Sequence, residues 1–290
     1  MDDDLARRFE EHRPRLRAVA YRMLGSLSEA DDAVQDTWLR AGQADTSEVE
    51  NLGAWLTTVV ARVCLNALRS RERRREDPLD VHVPDPIVSP ESGLDPEHDA
   101  LLADSVGLAL LVVLEMLSPT ERLAFVLHDL FAVSFEEIGP LLDRSPAAAR
   151  QLASRARRRV QGQAPAPDRD LARQREVVSA FFAASRDGDF DALVAVLDPD
   201  VVLRSDGGLA RPSLNLVLRG ADRVAKQAFT SSKLSPFVHH ALINGAVGVV
   251  VAPQGKAMFV MAFTVVGGKI VAIDVLADPD RLRDVDMSVL

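Results

Sequence analysis

Cysteine is nearly absent from this chain. Cys64 alone among 290 residues excludes an internal disulfide and any cysteine-cluster zinc site. Long apolar runs are absent as well: no stretch of roughly eighteen or more uncharged apolar residues occurs, so no transmembrane helix is expected. The opening residues, MDDDLARRFEEHR, have no apolar segment behind a basic start, so no signal peptide is expected. Lysine is scarce, and all four lysines fall beyond residue 171. These gaps lead to the expectation of a cytoplasmic protein without a membrane partner. At 47% hydrophobic and 27% charged residues the composition supports packed cores, and the length fits about two domains.

The net charge of −9 argues against a simple basic coat for nucleic acid. Charge acts locally, however, because salt screens it beyond about 8–10 Å. Arginines crowd into 69–75 and 150–159, whereas 77–104 is acidic and contains no lysine or arginine. Separate patches of opposite sign suggest a protein that touches both nucleic acid and a basic protein channel.

Residues 1–76 read as helices. Leu16, Val19, Ala20, Met23 and Leu24 recur at helical spacing. Gly25 to Ser28 breaks the pattern, and Ser28 with Asp31 is expected to cap a second helix in which Val34, Trp38 and Leu39 face inward. A third helix from about 52 to 75 should bury Trp55, Leu56, Val59, Val63, Ala67 and Cys64. Residues 77–100 hold Pro78, Pro84, Pro86, Pro90 and Pro96, too many for helix or interior strand, and read as an extended acidic linker. Residues 101–162 are helical again, 163–170 form a second linker, and 171–290 form an α+β domain. There, one amphipathic helix and a short helical turn precede strands at 201–204, 214–218, 246–252, 257–266 and 269–276. Gly267-Gly268 is a two-residue hairpin signal, since such turns need positive φ.

Within 101–162, Ser134 and Glu137 make a capping box, Asp143-Arg144 a turn, and Ser145-Pro146 a second helix start. Ala149, Leu152, Ala153, Ala156 and Val160 then share one face, small enough for close helix approach. Arg150, Gln151, Ser154, Arg155, Arg157 and Arg158 occupy the rest. This is a helix-turn-helix with a basic recognition helix, whose early residues can meet base edges and later arginines phosphates. A solvated basic surface helix is the plainer alternative, which the capped partner helix disfavours. Pro140 should shorten or distort the first helix. The run from Arg62 to Arg75 is a second basic helix, able to track a phosphate backbone, with Asn66 placed to read a base edge. Its plainer alternative is a helix end favoured by the dipole.

These residues resemble the extracytoplasmic-function sigma factors, promoter-recognition subunits of bacterial RNA polymerase. The run 31–40, DDAVQDTWLR, is similar to the acidic region-2 helix of that family. Trp55 to Val59 and Asn66 to Arg69 resemble its segment that melts and reads the minus-ten element. LSPTER at 117–122 and the helix-turn-helix resemble region 4. The resemblance spans about 5–162. It departs at Pro140, where the family usually has alanine, and at Asp143-Arg144, where it usually has glycine. Residues beyond 171 resemble a SnoaL-like domain of the NTF2-like fold, a cone of curved antiparallel sheet carried by one sigma subgroup. Three subgroup motifs have counterparts here: His82-Val83-Pro84-Asp85-Pro86, Asp206-Gly207-Gly208-Leu209-Ala210 and Asp278-Pro279-Asp280-Arg281-Leu282.

The resemblance implies a non-enzymatic sigma factor with a region-2 bundle, a region-4 helix-turn-helix and a C-terminal domain that tunes them in cis. Its implied partners are promoter DNA and core polymerase, met at the beta-prime clamp and beta flap, with no cofactor or metal. The free chain is expected to be a monomer, with room for an unknown small ligand in the C-terminal domain. Asp31, Asp32, Gln35, Asp36 and Leu39 are the implied polymerase contacts. Arg62, Asn66, Arg69, Arg71, Arg73 and Arg74 would serve the minus-ten element, and Ser145, Ala147, Arg150, Gln151, Ser154, Arg155, Arg157 and Arg158 the minus-thirty-five element. Asp206, Gly207, Gly208, Asp274, Asp278, Pro279 and Asp280 are the implied regulatory or pocket residues. The linker would thread a basic polymerase channel rather than act as an inert spacer. The rival is a helix-turn-helix regulator fused to a ligand-binding or enzymatic domain. It rests on Asp274, a candidate buried acid if the face it shares with Ile270, Ala272 and Leu276 lines a pocket. His239 and His240 are expected in a surface loop.

Overall fold

The computed structural model of the protein describes residues 3–45, 49–74, 81–90, 107–163, 167–285 and 287–289. The chain divides into two compact units, Met1–Asp77 with Val113–Gln163, and Pro78–Val112 with Ala164–Leu290. Among the described residues no helix is long and apolar enough to cross a membrane.

The first unit opens with α1 (Asp3–Leu24), α2 (Leu27–Ala41) and α3 (Leu52–Arg74), which pack pairwise. Phe9, Leu16 and Met23 of α1, Val34 of α2 and Leu56 and Val60 of α3 are fully buried between them. Gly25 takes the left-handed φ of 72° that ends α1 and leaves Ser26 extended. Ser26, not Ser28, therefore caps α2, accepting from the Glu29 amide at 3.5 Å. Leu39 also departs from expectation and is 55% exposed. Five residues on from Val34 it has turned about 140° round the helix and faces outward. Trp38 is half-buried, its ring 5.0 Å from that of Phe9. On α3, Trp55, Val59 and Ala67 are half-buried, and the innermost line runs instead through Leu56, Val60 and Cys64. Burial pushes the Cys64 thiol up to about 12, so it is a packing group rather than a nucleophile.

α4 (Leu108–Glu115) crosses the division at Val113, and the first unit continues through α5 (Pro119–Phe125), a wider π turn (Val126–Leu130), α6 (Phe135–Leu141) and α7 (Pro146–Gln163). Ser118–Glu121 and Ser134–Glu137 both close full capping boxes. Arg122 of α5 is 2% exposed. Its Nε donates to the Arg22 carbonyl at 3.1 Å and its Nη1 to Glu115 at 2.9 Å. Arg15 donates to the Phe131 carbonyl at 3.0 Å, and the Arg15 and Arg22 guanidinia both lie over the Phe131 ring. The first three helices and the helix-turn-helix are thus one packed body.

In the second unit, 81–90 is extended and contributes β1 (Val88–Ser89). α8 (Leu171–Asp187) and α9 (Phe190–Val196) follow, as expected. Then come β2 (Leu197–Asp206), β3 (Leu216–Arg219), α10 (Ala221–Thr230), β4 (Val238–Ile243), β5 (Ala246–Val251), β6 (Phe259–Val266) and β7 (Lys269–Leu276). They form an open seven-stranded sheet in the order β1-β4-β5-β6-β7-β2-β3. The α+β arrangement stands, but the sheet is mixed: β2 and β7 run parallel while the other neighbouring pairs are antiparallel. The long excursion through β3, α10 and β4 to β6 returns the chain to β2 in the same direction, as a parallel pair requires. β1 sits at the sheet edge, the place left to a proline-flanked strand. Gly267 and Gly268 make the expected hairpin with φ of 59° and 79°. His239 and His240 lie in β4 rather than a loop, because Asn244-Gly245 makes a second tight hairpin, with φ of 50° and 77°.

The helix-turn-helix tolerates its two departures for local reasons. Pro140 sits one residue before the end of α6, where few helical bonds remain to be lost. Asp143 adopts φ 55°, the conformation a glycine would supply. The turn folds back so closely that Arg144 donates to the Gly139 carbonyl at 2.9 Å, and a Cβ on Gly139 would stand 2.9 Å from the Arg144 carbonyl oxygen. Asp143→Gly should therefore hold or raise stability by up to about 1 kcal/mol, and Asp143→Val should lower it by about 1–2 kcal/mol. Urea unfolding of the two variants checks the order.

Candidate functional site

Three surfaces of the first unit carry the expected contact residues. On α2, Asp31, Asp32, Gln35, Asp36 and Leu39 are all exposed. Asp31 is partly committed, accepting from Arg17 at 2.6 and 3.1 Å, and Asp36 lies 3.7 Å from Arg40. The remaining stripe is acidic with one apolar side chain, Leu39.

On α3, Arg62, Asn66, Arg69 and Arg73 recur at i, i+4, i+7 and i+11, which places them on one face. Arg62, Asn66 and Arg73 are exposed and Arg69 is half-buried. Arg71 does not join them. It donates to the Leu24 carbonyl at 3.1 Å and ion-pairs with Glu29, fastening α3 to the α1–α2 corner. The Arg74 side chain lies outside the described residues.

On α7, Ala149, Ala153 and Ala156 are fully buried against the body, as the small-residue face implied, with Leu152 and Val160 half-buried beside them. Ser145 and Ala147 are exposed at the start, and Ser145 caps the helix through the Ala148 amide at 3.2 Å. Arg150, Gln151, Arg155 and Arg158 are exposed and Ser154 is half-buried. Arg150 lies over the Phe135 ring at 5.2 Å, which ties the two helices of the motif. Arg157 differs from its neighbours. Its Nε and Nη2 meet one oxygen of Asp129 at 2.7 and 2.6 Å, so its charge is already answered within the fold.

The second unit brings the three subgroup motifs together. Asp206 is 2% exposed. One of its oxygens accepts from the Gly208 amide at 3.0 Å, the other from the Val83 amide and Arg281 Nη1, both at 2.9 Å. His82 Nδ1 stands 3.4 Å from the latter oxygen. Arg281 also donates to the Val83 carbonyl at 2.6 Å and ion-pairs with Asp85. Gly207 donates to Asn215 at 2.6 Å, and a Cβ on Gly208 would collide with the Asp278 carboxylate. Asp278 itself caps the next turn through the Asp280 amide at 2.9 Å, Pro279 is half-buried, and Asp280 faces solvent beside Arg283. Farther along, Asn244 of the second hairpin accepts from the Ile87 amide at 3.0 Å and donates its own amide to the Ile87 carbonyl at 2.9 Å. Residues 81–90 are therefore docked on this unit. Arg281, Asn215 and Asn244 were not among the expected site residues, although Arg281 stands within the third motif and Asn244-Gly245 is a hairpin signal that could have pointed to Asn244.

A cavity of about 120 Å³ lies among α8, α10 and the sheet, lined on β2 by Leu203 and Ser205 and on β7 by Val275. Strand side chains alternate, so Asp206 and Asp274 point to the opposite face. Asp274 is buried there, 3.1 Å from Arg204. Burial pushes its carboxyl up and Arg204 draws it partly back, but it does not reach the cavity. The suggestion that Asp274 is a pocket acid is thereby corrected: Asp274 shares its face with Ala272 and Leu276, a bulge turns Ile270 to the other side, and the Asp274 face is not the cavity's.

Burial also pushes the Asp206 carboxyl up, but His82, the Val83 amide, Arg281 and the Gly208 amide together hold it below the usual carboxylate range. A lowered folded-state pKa means stabilisation that is present above the ordinary aspartate value of about 4 and lost as pH falls through the lowered value. The Val83 and Ile87 amides should be protected in the intact protein and should lose protection, relative to the intrinsic exchange rate at the same pH, on acidification below about pH 4. In Asp206→Ala they should be unprotected at every pH, with the second unit destabilised by about 1–3 kcal/mol as the Val83 amide loses its acceptor and half-buried Arg281 keeps only Asp85. Hydrogen exchange followed by mass spectrometry reads both effects.

Comparison with known proteins places this geometry. Residues 8–74 match Sigma-70 region 2, and residues 107–160 match Sigma-70, region 4. The chain is 40% identical over 288 residues to the ECF RNA polymerase sigma factor SigJ of Mycobacterium tuberculosis, covering 94% of this chain and 91% of that one. It is 35% identical over 289 residues to the probable ECF RNA polymerase sigma factor SigI of the same species, covering 97% and 95%. The crystal structure of the Mycobacterium tuberculosis SigJ protein is similar at a TM-score of 0.78 with 35% identity, over 97% of this chain and 99% of that one. The chain belongs to the extracytoplasmic-function family of RNA polymerase sigma factors.

Proposed function

We infer that this chain is an alternative sigma factor that directs bacterial RNA polymerase to particular promoters and starts transcription there. Core polymerase and promoter DNA are its partners, and the family is not enzymatic. The observation that carries the reading is the pair of basic helical faces, on α3 and on α7, in a chain of net charge −9. Phosphate attraction is local, and polymerase supplies further surface, so a net-acidic subunit can act at DNA.

The finer assignments follow from this reading. Residues 1–76 serve as region 2, 101–162 as region 4, and 171–290 as a SnoaL-like regulatory domain, with 77–100 and 163–170 as linkers. The acidic face of α2, with Asp32, Gln35, Asp36 and Leu39, meets the beta-prime clamp, and region 4 meets the beta flap. Arg62, Asn66, Arg69 and Arg73 face the minus-ten element. On α7, Arg150, Gln151 and Ser154 read bases of the minus-thirty-five element, and Arg155 and Arg158 hold phosphates. The C-terminal domain tunes the sigma modules by gripping 81–90, the segment that joins them. The free chain is a cytoplasmic monomer.

Arg150→Ala or Gln151→Ala should change sequence preference, costing about 1–3 kcal/mol at the affected base pair. Arg158→Ala should weaken binding evenly across sequences and lower the salt slope by about one. Arg157→Ala should barely alter the slope, since Asp129 already neutralises it, and should cost only about 0.2–1 kcal/mol of stability. Salt titrations of promoter binding by the polymerase holoenzyme separate the three classes. Run-off transcription with core enzyme tests the function itself. A promoter-specific transcript from the intact chain is expected, with a changed yield after truncation at residue 167. Failure of both chains to direct any specific start would overturn the reading.

A further inference from the structure

The cavity of the second unit is built unlike the rest of that unit's surface. Seventeen residues line it, and none is Asp, Glu, Lys, Arg or His. Phe181, Phe182, Phe259, Met261, Leu216 and Val275 make most of its wall. Several of these are only half-buried, namely Phe182, Leu216, Phe259 and Met261. Apolar surface left facing a concavity is unfavourable by about 25 cal/mol for each Å² that water touches, and an apolar guest removes that penalty. A charged guest would lose its hydration with no counter-charge in return. The polar lining is neutral and sparse. Ser185 already donates its hydroxyl to the Ala228 carbonyl at 3.1 Å, which leaves the Ser205 hydroxyl on the inner wall, Gln227 and Ser231 toward α10, and Ser235 in the turn that follows.

We propose that this cavity binds a small, neutral, largely apolar molecule, of one ring or the equivalent aliphatic bulk, carrying a hydroxyl or carbonyl that meets Ser205. The volume of about 120 Å³ sets that size, since an apolar cavity of about 150 Å³ in another protein takes benzene. The lack of any titratable lining makes this a binding site and not a site of proton transfer. It also has a route to the linker. Ser205 faces the cavity, and the next residue on the same strand, Asp206, points through the sheet to hold the Val83 amide and Arg281. A guest that shifts β2 at Ser205 moves the carboxylate that anchors 81–90. The site thereby deepens the regulatory reading of residues 171–290 and rests on it for its consequence, though not for binding itself.

The test uses the full-length chain without polymerase and phenol as the probe, neutral at pH 7, with benzoate as the charged control and titration calorimetry as the readout. Saturable binding of phenol and none of benzoate is expected. Ser205→Ala should weaken phenol about two- to tenfold, the range one hydrogen bond supplies, while leaving benzene unchanged. Met261→Trp should fill the cavity and abolish binding, with thermal unfolding checked; Ala228→Leu fills the opposite wall and serves if Met261→Trp does not fold. No saturable binding up to the solubility limit, equal binding of benzoate, or unchanged binding in a folded cavity-filled variant would each overturn the proposal. None of these results bears on run-off transcription, so the site and the sigma assignment fail separately.

Discussion

A buried carboxylate persists only when the fold supplies donors to replace water, and Asp206 obtains them from three distant stretches of chain. The linker gives the Val83 amide, the Gly-Gly turn gives the Gly208 amide, and the end of the chain gives Arg281. Satisfying one charge therefore fixes the path of all three. Arg281 extends the arrangement by holding the Val83 carbonyl and Asp85. The acidic linker, which the family resemblance would thread through a polymerase channel, thus has residues 81–90 fastened to the C-terminal sheet. The edge strand β1 and the Asn244–Ile87 bonds complete that attachment.

The first unit follows a similar logic with opposite charge. Arg122 is buried and finds Glu115 and the Arg22 carbonyl, so the helix that leads into the helix-turn-helix is bonded to the first helix of the chain. Around that centre the arginines divide by partner. Arg71 and Arg157 are spent on Glu29 and Asp129, within the fold. Arg62, Arg150, Arg155 and Arg158 stay at the surface. A dense arginine run is thus two populations, one structural and one presented to a partner. Removing a member of each should have unlike effects.

The helix-turn-helix could be read in advance because its signals are local: two serine caps, an alanine face and a turn of fixed length. The Gly267-Gly268 hairpin was legible for the same reason. The long-range arginine contacts were not, since Arg122 bonds the Arg22 carbonyl 100 residues away and Arg281 the Asp206 carboxylate 75 residues away, and both look in sequence like any surface arginine. Asp274 shows a second limit. Alternation grouped it correctly with Ala272 and Leu276, but a bulge turns Ile270 to the other face, and only the packing of α8 and α10 reveals that the cavity lies there. The parallel β2–β7 pair was hidden likewise, because strand direction depends on the whole excursion between them.

In the function proposed for this chain, the grip on the linker is the means by which the C-terminal domain acts on the sigma modules. The most direct measurement is promoter-specific run-off transcription with core polymerase, comparing the intact chain with Asp206→Ala at equal concentrations of folded protein. The same start site with a changed transcript yield, approaching that of the chain truncated at residue 167, is predicted. A yield equal to the intact chain's, in a variant whose linker amides exchange freely, would contradict it.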